Sequence, residues 1–406
     1  MIKSRLIYIV YLLVFSLLIG SCNLKTDKAA QTSNRLINEF MNGVDLSYVN
    51  QVEDHGGIYK EDGTKVDPYE LFSKKGANVV RLRIWNNPEW IYQVYGEDTP
   101  LYSGYNDVKK SIERAKANGM AINLDFHYSD IWADPQHQKV PSVWKNITDL
   151  NVLCDSVYNY TYSVLDDLLK SNLLPEMVQI GNETNCGFML DEADSLFPKL
   201  SICDGNWVAF GKVLNAGVKA VRDIDLKAGS KTLVALHVAD PKNLEWFFKG
   251  VMEKGMVNDF DIAGFSYYPH WHTEISFEEL PKLVSRLTNE LNKDFVILET
   301  AYPYTLEEAD EYGNIFGEHS GIEGYPISIE GQRAFLIDLV TNMRTAGAKG
   351  VMYWEPAWIS SDMKDLWGHG SAWDNATLFD REGNSLASID YLSFDYASTT
   401  DDLKTK

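Results

Sequence analysis

Glu183 and Glu299 are the residues in this chain best suited to do chemistry. Each closes a short apolar run, Glu183 in VQIGNETN and Glu299 in ILETAYP. Two carboxyls facing one bond are what glycoside hydrolysis needs, a protonated one for the leaving oxygen and an ionised one for the anomeric carbon or a water. An Asn-Glu pair by itself reads more readily as a surface acid in a loop. The company these two keep argues otherwise, because Arg83, Asp125, His127, Trp132, Asn182, Tyr267, Tyr268 and Trp354 stand at the ends of comparable runs. A nucleophile must stay ionised beside a second acid, and Arg83 with a Tyr hydroxyl would lower the pKa of Glu299. Glu183 must keep its proton, and burial beside an anionic Glu299 would raise its pKa. Trp354 is placed to floor a sugar ring. Trp85, Trp90, Trp132, Trp144 and Trp358 offer further faces for stacking, while Asp125, Asn182 and His127 can take hydroxyls. His127 with His137, His270 or His272 has no HExxH-like spacing, so neither catalytic zinc nor any cofactor for catalysis is expected.

Such residues can converge only if the runs that carry them are neighbouring strands. Eight apolar, β-branched segments recur, near Asn42–Leu46, Asn78–Ile84, Ala121–Phe126, Met177–Asn182, Thr232–Val238, Ile262–Tyr267, Phe295–Glu299 and Gly350–Trp354. Between them lie helical patterns at Asp107–Asn118, Leu150–Lys170, Trp207–Asp223 and Ile329–Thr345, with apolar residues at three-and-four spacing. No Gly-rich phosphate fingerprint follows the first strand, so an α/β fold built as a single (β/α)8 TIM barrel with long βα loops is expected over residues 35–395. Barrel active sites lie at the C-terminal strand ends. The endings GVDLS, RLRIWNNP, NLDFHYSDIWADP, VQIGNETN, ALHVADP, FSYYPHWH, ILETAYP and YWEPAW are polar and aromatic at nearly every strand. Strands four and seven lie across the mouth from one another.

The 406 residues carry 58 Asp and Glu against 37 Lys and Arg, a net charge of -21. That charge repels nucleic acid and anionic lipid headgroups. A 45% hydrophobic content with 28 Gly and 13 Pro excludes a disordered or collagen-like chain. Residues 1–21 read as an export signal, with Lys3 and Arg5 before an apolar run from Leu6 to Ile19 that is shorter than a membrane span. The run meets Ile-Gly-Ser-Cys22, which resembles a bacterial lipobox. Cys22 would then carry the lipid anchor, residues 22–34 a flexible tether and residues 396–406 a tail. Removing Cys22 from four cysteines leaves Cys154, Cys186 and Cys203. Cys186 and Cys203 could pair, and spacing alone does not decide it.

The strings GVDLS, VRLRIWNNP, DFHYSDIWADPQHQKVPSVW, VQIGNETN, SYYPHWH and ETAYP resemble glycoside hydrolase family 53, the endo-β-1,4-galactanases among the clan A retaining glycosidases. The likeness runs from Gly43 to Asp380. It implies endo-cleavage of pectic β-1,4-galactan (type I arabinogalactan) with retention. It also implies Glu183 as acid/base, Glu299 as nucleophile, Arg83 as the arginine bracing it and Asn182 as the partner of the sugar 2-hydroxyl. One of Tyr267 and Tyr268, with Tyr268 favoured, would touch the nucleophile. Beyond Glu299, the stretch EADEYGN alternates oxygen-bearing side chains at Glu308, Asp310, Tyr312 and Asn314, which suits a hard cation such as calcium. The resemblance implies a structural Ca2+ tying this loop to Ser371 and Asp374, although Tyr312 and Glu308 depart from the family pattern. The expected partners are galactan and galacto-oligosaccharides. The membrane would be met only through the lipid, by a monomeric lipoprotein at the outer membrane or cell surface. Other clan A activities, such as a mannanase or an exo-galactosidase, would keep both glutamates. A glycan-binding lipoprotein without catalysis has no need of them.

Overall fold

The computed structural model describes Leu36 and residues 38–397. The export segment, Cys22, the tether and all but the first two residues of the tail lie outside the described residues. Eight parallel strands close on one another: β1 (Met41–Asp45), β2 (Val79–Ile84), β3 (Ala121–Phe126), β4 (Met177–Ile180), β5 (Leu233–Ala239), β6 (Ile262–Ser266), β7 (Asp294–Thr300) and β8 (Gly350–Tyr353). Closure is made by β1, whose Met41 faces Gly350 of β8 and whose Gly43 faces Val79 of β2. Both faces of each strand are buried, which is why Val, Ile and Leu run nearly unbroken through them.

Two apolar layers result. Outside the strands, a continuous core lies between the sheet and its helices. Inside, Met41, Val79, Ala121, Met177, Leu233, Val296, Leu298 and Met352 plug the N-terminal end of the barrel, with Leu36 packed onto them. Two glycines make room for the larger plugs: a Cβ on Gly43 would sit 2.3 Å from Met352, and one on Gly264 would sit 2.2 Å from Leu298. Above this plug the interior turns polar, with Asp45, Arg81, Asp125, Gln179, His237 and Glu299 all buried.

The helices begin and end for local reasons. The Asp149 side chain accepts from the N–H groups of Asn151 and Val152 to start Leu150–Lys170. Ser328 caps Ile329–Ala346, which Gly347 ends in the left-handed region at φ 84°. Strand four is shorter than expected, ending at Ile180, because Gly181 turns left-handed (φ 84°) and Glu183 follows it there (φ 46°). The helix from Trp207 is longer than expected and runs to Ala228, where Gly229 supplies its left-handed cap. Cys186 and Cys203 form a disulfide with a Cα separation of 5.1 Å, and Cys154 is a half-buried free thiol. Among the described residues no helix is long and apolar enough to cross a membrane.

Candidate active site

Arg81 and Arg83 leave β2 two residues apart and therefore point to the same side, into the barrel. Arg81 organises the centre. Its Nη1 pairs with Asp45 at 2.9 Å, and its Nη2 with Asp125 at 2.7 Å and with Glu299 at 3.0 Å. The same Nη2 donates to Asn182 Oδ1 at 2.7 Å, and Nε donates to Gln179 Oε1 at 3.1 Å. Arg83 pairs instead with Glu355, and its guanidinium lies between the rings of Tyr48 (4.0 Å) and Trp132 (4.2 Å). The expectation that Arg83 braces Glu299 is thus corrected: the bracing arginine is Arg81. Glu355, at φ 47° just beyond β8, takes the arginine nearer the mouth and leaves the deeper one for β7.

Glu183 and Glu299 come together across the mouth. One carboxylate oxygen of each, with a ring nitrogen of His237, lie within 4.8 Å of one another. Each carboxylate also accepts a side-chain hydrogen bond, Glu183 Oε1 from the Ser266 hydroxyl and Glu299 Oε2 from the Tyr268 hydroxyl, the latter at 3.0 Å. Of the two tyrosines it is therefore Tyr268 that reaches Glu299. Tyr267 meets it only through the backbone, its N–H donating to the Glu299 carbonyl at 2.8 Å. Burial pushes Glu183 well above the usual carboxylate range, and the charge of Glu299 adds to this. Burial also lifts Glu299, to about 7, against the pull of Arg81 and Tyr268. Cation and hydroxyl do lower Glu299, as expected of them, but desolvation outweighs both. Glu183 lacks a direct ion pair and so retains the proton when the pair holds only one.

Around the glutamates opens a cleft of about 430 Å³. Its lining includes His127, Trp132, Asn182, Tyr268 and Trp354 from the expected set, together with Trp358. Trp354 stands perpendicular to Trp373 at 4.7 Å and lies 5.5 Å from Trp132. Asp125 is fully buried behind this lining, where it holds Arg81 and the Nε2 of His127 (3.1 Å). His127 Nδ1 accepts from Trp85 Nε1 and from the Ala133 N–H, so its hydrogen sits on Nε2. Trp85, Trp90 and Trp144 belong to the supporting structure: Trp90 donates to the Asp130 carbonyl, and Trp144 packs on Tyr128 and Tyr160. Sequence reasoning missed Arg81, His237, Ser266, and the lining residues Trp271, Trp367 and Trp373. Of these, Trp271 and Trp367 are 42% and 59% exposed, at the rim.

The loops after β7 and β8 approach one another. Asp374 accepts from the Ala309 N–H at 3.0 Å and from Asn314 Nδ2 at 2.8 Å, and Asn314 Oδ1 is buried without a partner. Burial, with Asp310 and Glu308 nearby, raises Asp374 to about 6. Asp310 accepts from Ser360 and from the N–H groups of Ser371 and Tyr312. The Ser371 hydroxyl donates to the Trp358 carbonyl, and Tyr312 donates to Asp365. Asp374, Asn314, Asp310 and Glu308 bring to these loops oxygens of the type a hard cation takes, but the three carboxylates are not drawn together into one cluster, and the Ser371 hydroxyl is turned to its own loop.

The family model of glycosyl hydrolase family 53 matches residues 41–392. The chain is 43% identical over 362 residues to an arabinogalactan endo-β-1,4-galactanase of Cellvibrio japonicus (strain Ueda107), covering 89% of this chain and 92% of that one. It is 34% identical over 400 residues to an endo-β-1,4-galactanase of Bacillus subtilis (strain 168), covering 89% and 86%. The solved GH53 catalytic domain of Ignisphaera aggregans aligns with a TM-score of 0.76 at 34% identity, over 87% of this chain and 95% of that one. The match takes in every barrel strand from β1 to β8 and both opposed glutamates, and on that ground the chain belongs to glycosyl hydrolase family 53.

Proposed function

We propose that the protein hydrolyses β-1,4-galactan by endo-cleavage with retention of configuration. The observation that carries this is the approach of Glu183 and Glu299 to within 4.8 Å in an open, indole-lined cleft, since retaining pairs stand about 5 to 5.5 Å apart and inverting pairs about 6.5 to 9.5 Å. The galactanase names of the relatives at 43% and 34% identity support the substrate. In the first step Glu183 gives its proton to the glycosidic oxygen while Glu299 attacks the anomeric carbon, so the C1–O bond breaks as the glycosyl ester forms. Glu299 is then neutral, and the base form of Glu183 takes a proton from water as the water oxygen replaces Glu299 at C1. Asn182 is the partner for the sugar 2-hydroxyl, Trp354 the floor under the ring, and His127 and Trp132 contacts along the groove.

The test is release of reducing ends from galactan, mannan and arabinan, with the anomer followed by NMR. Galactan alone should be cut, with retention. Inverted products would sink the mechanism, and preference for mannan the substrate. A structural Ca2+ held by Asp374, Asn314, Asp310 and Glu308 would join the β7 and β8 loops without entering the chemistry. Export as a lipoprotein anchored through Cys22, acting as a monomer at the outer membrane or cell surface, is supported by the lipobox-like string and by the Cys186–Cys203 bond, since disulfides persist in oxidising compartments.

A further inference from the structure

Glu183 stands on a piece of chain that the barrel ladder does not place. β4 ends at Ile180, and beyond it Gly181 and Glu183 are both left-handed, at φ 84° and 46°. A residue other than glycine keeps that conformation only where its surroundings over-determine it. From the β5 side, the Glu183 N–H donates to His237 Nδ1 at 3.3 Å and the Thr184 N–H to the His237 carbonyl at 3.0 Å. From the β3 side comes Gln138. Its Nε2 donates to the Asn182 carbonyl at 2.8 Å and to the Asp134 carbonyl at 3.0 Å, with the Glu183 carbonyl at 3.4 Å. Three carbonyl oxygens around one nitrogen settle which way the amide points, because its own oxygen would be repelled there. Gln138 is buried and fastened along its backbone. Its N–H donates to Asp191 Oδ2 at 2.6 Å, and its carbonyl accepts from the N–H groups of Leu190 and Asp191 at 2.6 and 2.9 Å. The loops after β3 and β4 are thus joined at Gln138, whose carboxamide reaches the turn that carries Glu183.

We propose that Gln138 is a positioning residue for the hydrolysis, fixing this turn so that the Glu183 carboxyl meets the glycosidic oxygen, with Asp191 holding Gln138 in place. Gln138 does not line the cleft, so it acts through Glu183 and not on the sugar. The barrel does not depend on it either. β3 and β4 are joined by their own ladder, from Asn123 and Met177 to Phe126 and Ile180. Loss of the carboxamide would free the left-handed turn to relax, and the Glu183 side chain would move with its backbone. Misplacing a catalytic group by about 1 Å costs about 10²-fold in rate.

The inference rests on the galactanase reading, so wild type must first cut galactan; if it does not, that reading fails and not the account of Gln138. Gln138→Leu, in the full chain and checked by thermal melting, should lower kcat/KM on galactan by about 10²-fold. An aryl galactotrioside with a dinitrophenolate leaving group needs little acid help, and its kcat/KM should fall by less than about threefold. Asp191→Ala loosens Gln138 without touching Glu183 and should show the same split, at about tenfold on galactan, so the test survives a poorly folding Gln138→Leu. The double variant should be no worse than Gln138→Leu alone, since both changes act through one contact. Equal losses on the two substrates, a galactan loss below about threefold, or losses that multiply in the double variant would overturn the proposal.

Discussion

Arg81 and Arg83 differ by one turn of the strand pleat, yet their consequences for the site are distinct. Arg81→Lys trades a planar fork serving Asp45, Asp125 and Glu299 for a single ammonium. It should lower kcat on galactan by about 10²-fold, in the range set by removal of one preorganised electrostatic contact. It should also shift the acid limb upward, because Glu299 loses part of the charge that holds it ionised. Arg83→Lys should leave that limb unmoved, since Arg83 serves Glu355; pH–rate profiles of the two variants decide between them. Glu299 also carries a stability prediction. Its folded pKa of about 7 lies above the ordinary 4.5, so the native state binds more protons than the unfolded chain across that window, and stability falls as pH rises through it. Glu299→Gln should abolish turnover while flattening this decline, melting above wild type at pH 8 and converging with it below pH 4.5. Were the two melting curves parallel at all pH values, the burial argument would be wrong. The choice of Arg81 was not legible in the sequence. A two-residue period puts both arginines on one face, and which one Glu299 meets depends on Glu355 arriving from β8.

The elements themselves were far more legible. Strands buried on both faces must be written as β-branched runs, so all eight could be located, and their polar endings marked the mouth. The misplaced boundaries have local causes: β4 stops at Ile180 because the chain turns left-handed at Gly181 and Glu183, and the helix from Trp207 continues to a glycine beyond Asp223. Pairing of cysteines in the β4 loop could not be read from spacing. That bond begins three residues after Glu183 and closes a 17-residue separation, a length for which chain entropy predicts about 3 kcal/mol of stability. Cys186→Ser with Cys203→Ser should therefore melt several degrees lower, and an unchanged melting temperature would deny the loop that role. In the β7 and β8 loops, a bound Ca2+ stabilises by mass action. A chelator should lower the melting temperature while leaving kcat at moderate temperature within about twofold, and Asp374→Asn should make the protein insensitive to the chelator. If calcium additions never move the melting curve of wild type, the ion is absent.

For the whole molecule, the proposed route to a surface is lipid at Cys22, which rests on the lipobox-like string Ile-Gly-Ser-Cys. Cys22→Ser should release active enzyme from membranes into the soluble fraction with unchanged kcat, and retention of the variant on membranes would remove the anchor. The plug that seals the N-terminal end of the barrel gives this a direction. Leu36 packs there beside Met41 and Met352, while the glutamates and indoles open at the far end. Residues 22–34, if extended, would reach at most about 45 Å, and Leu36, the first described residue, lies at the sealed pole. Attached in this way, the enzyme would carry its mouth on the side away from the tether, toward whatever polymer lies outside, and fragments would be shed within one tether's reach of the lipid.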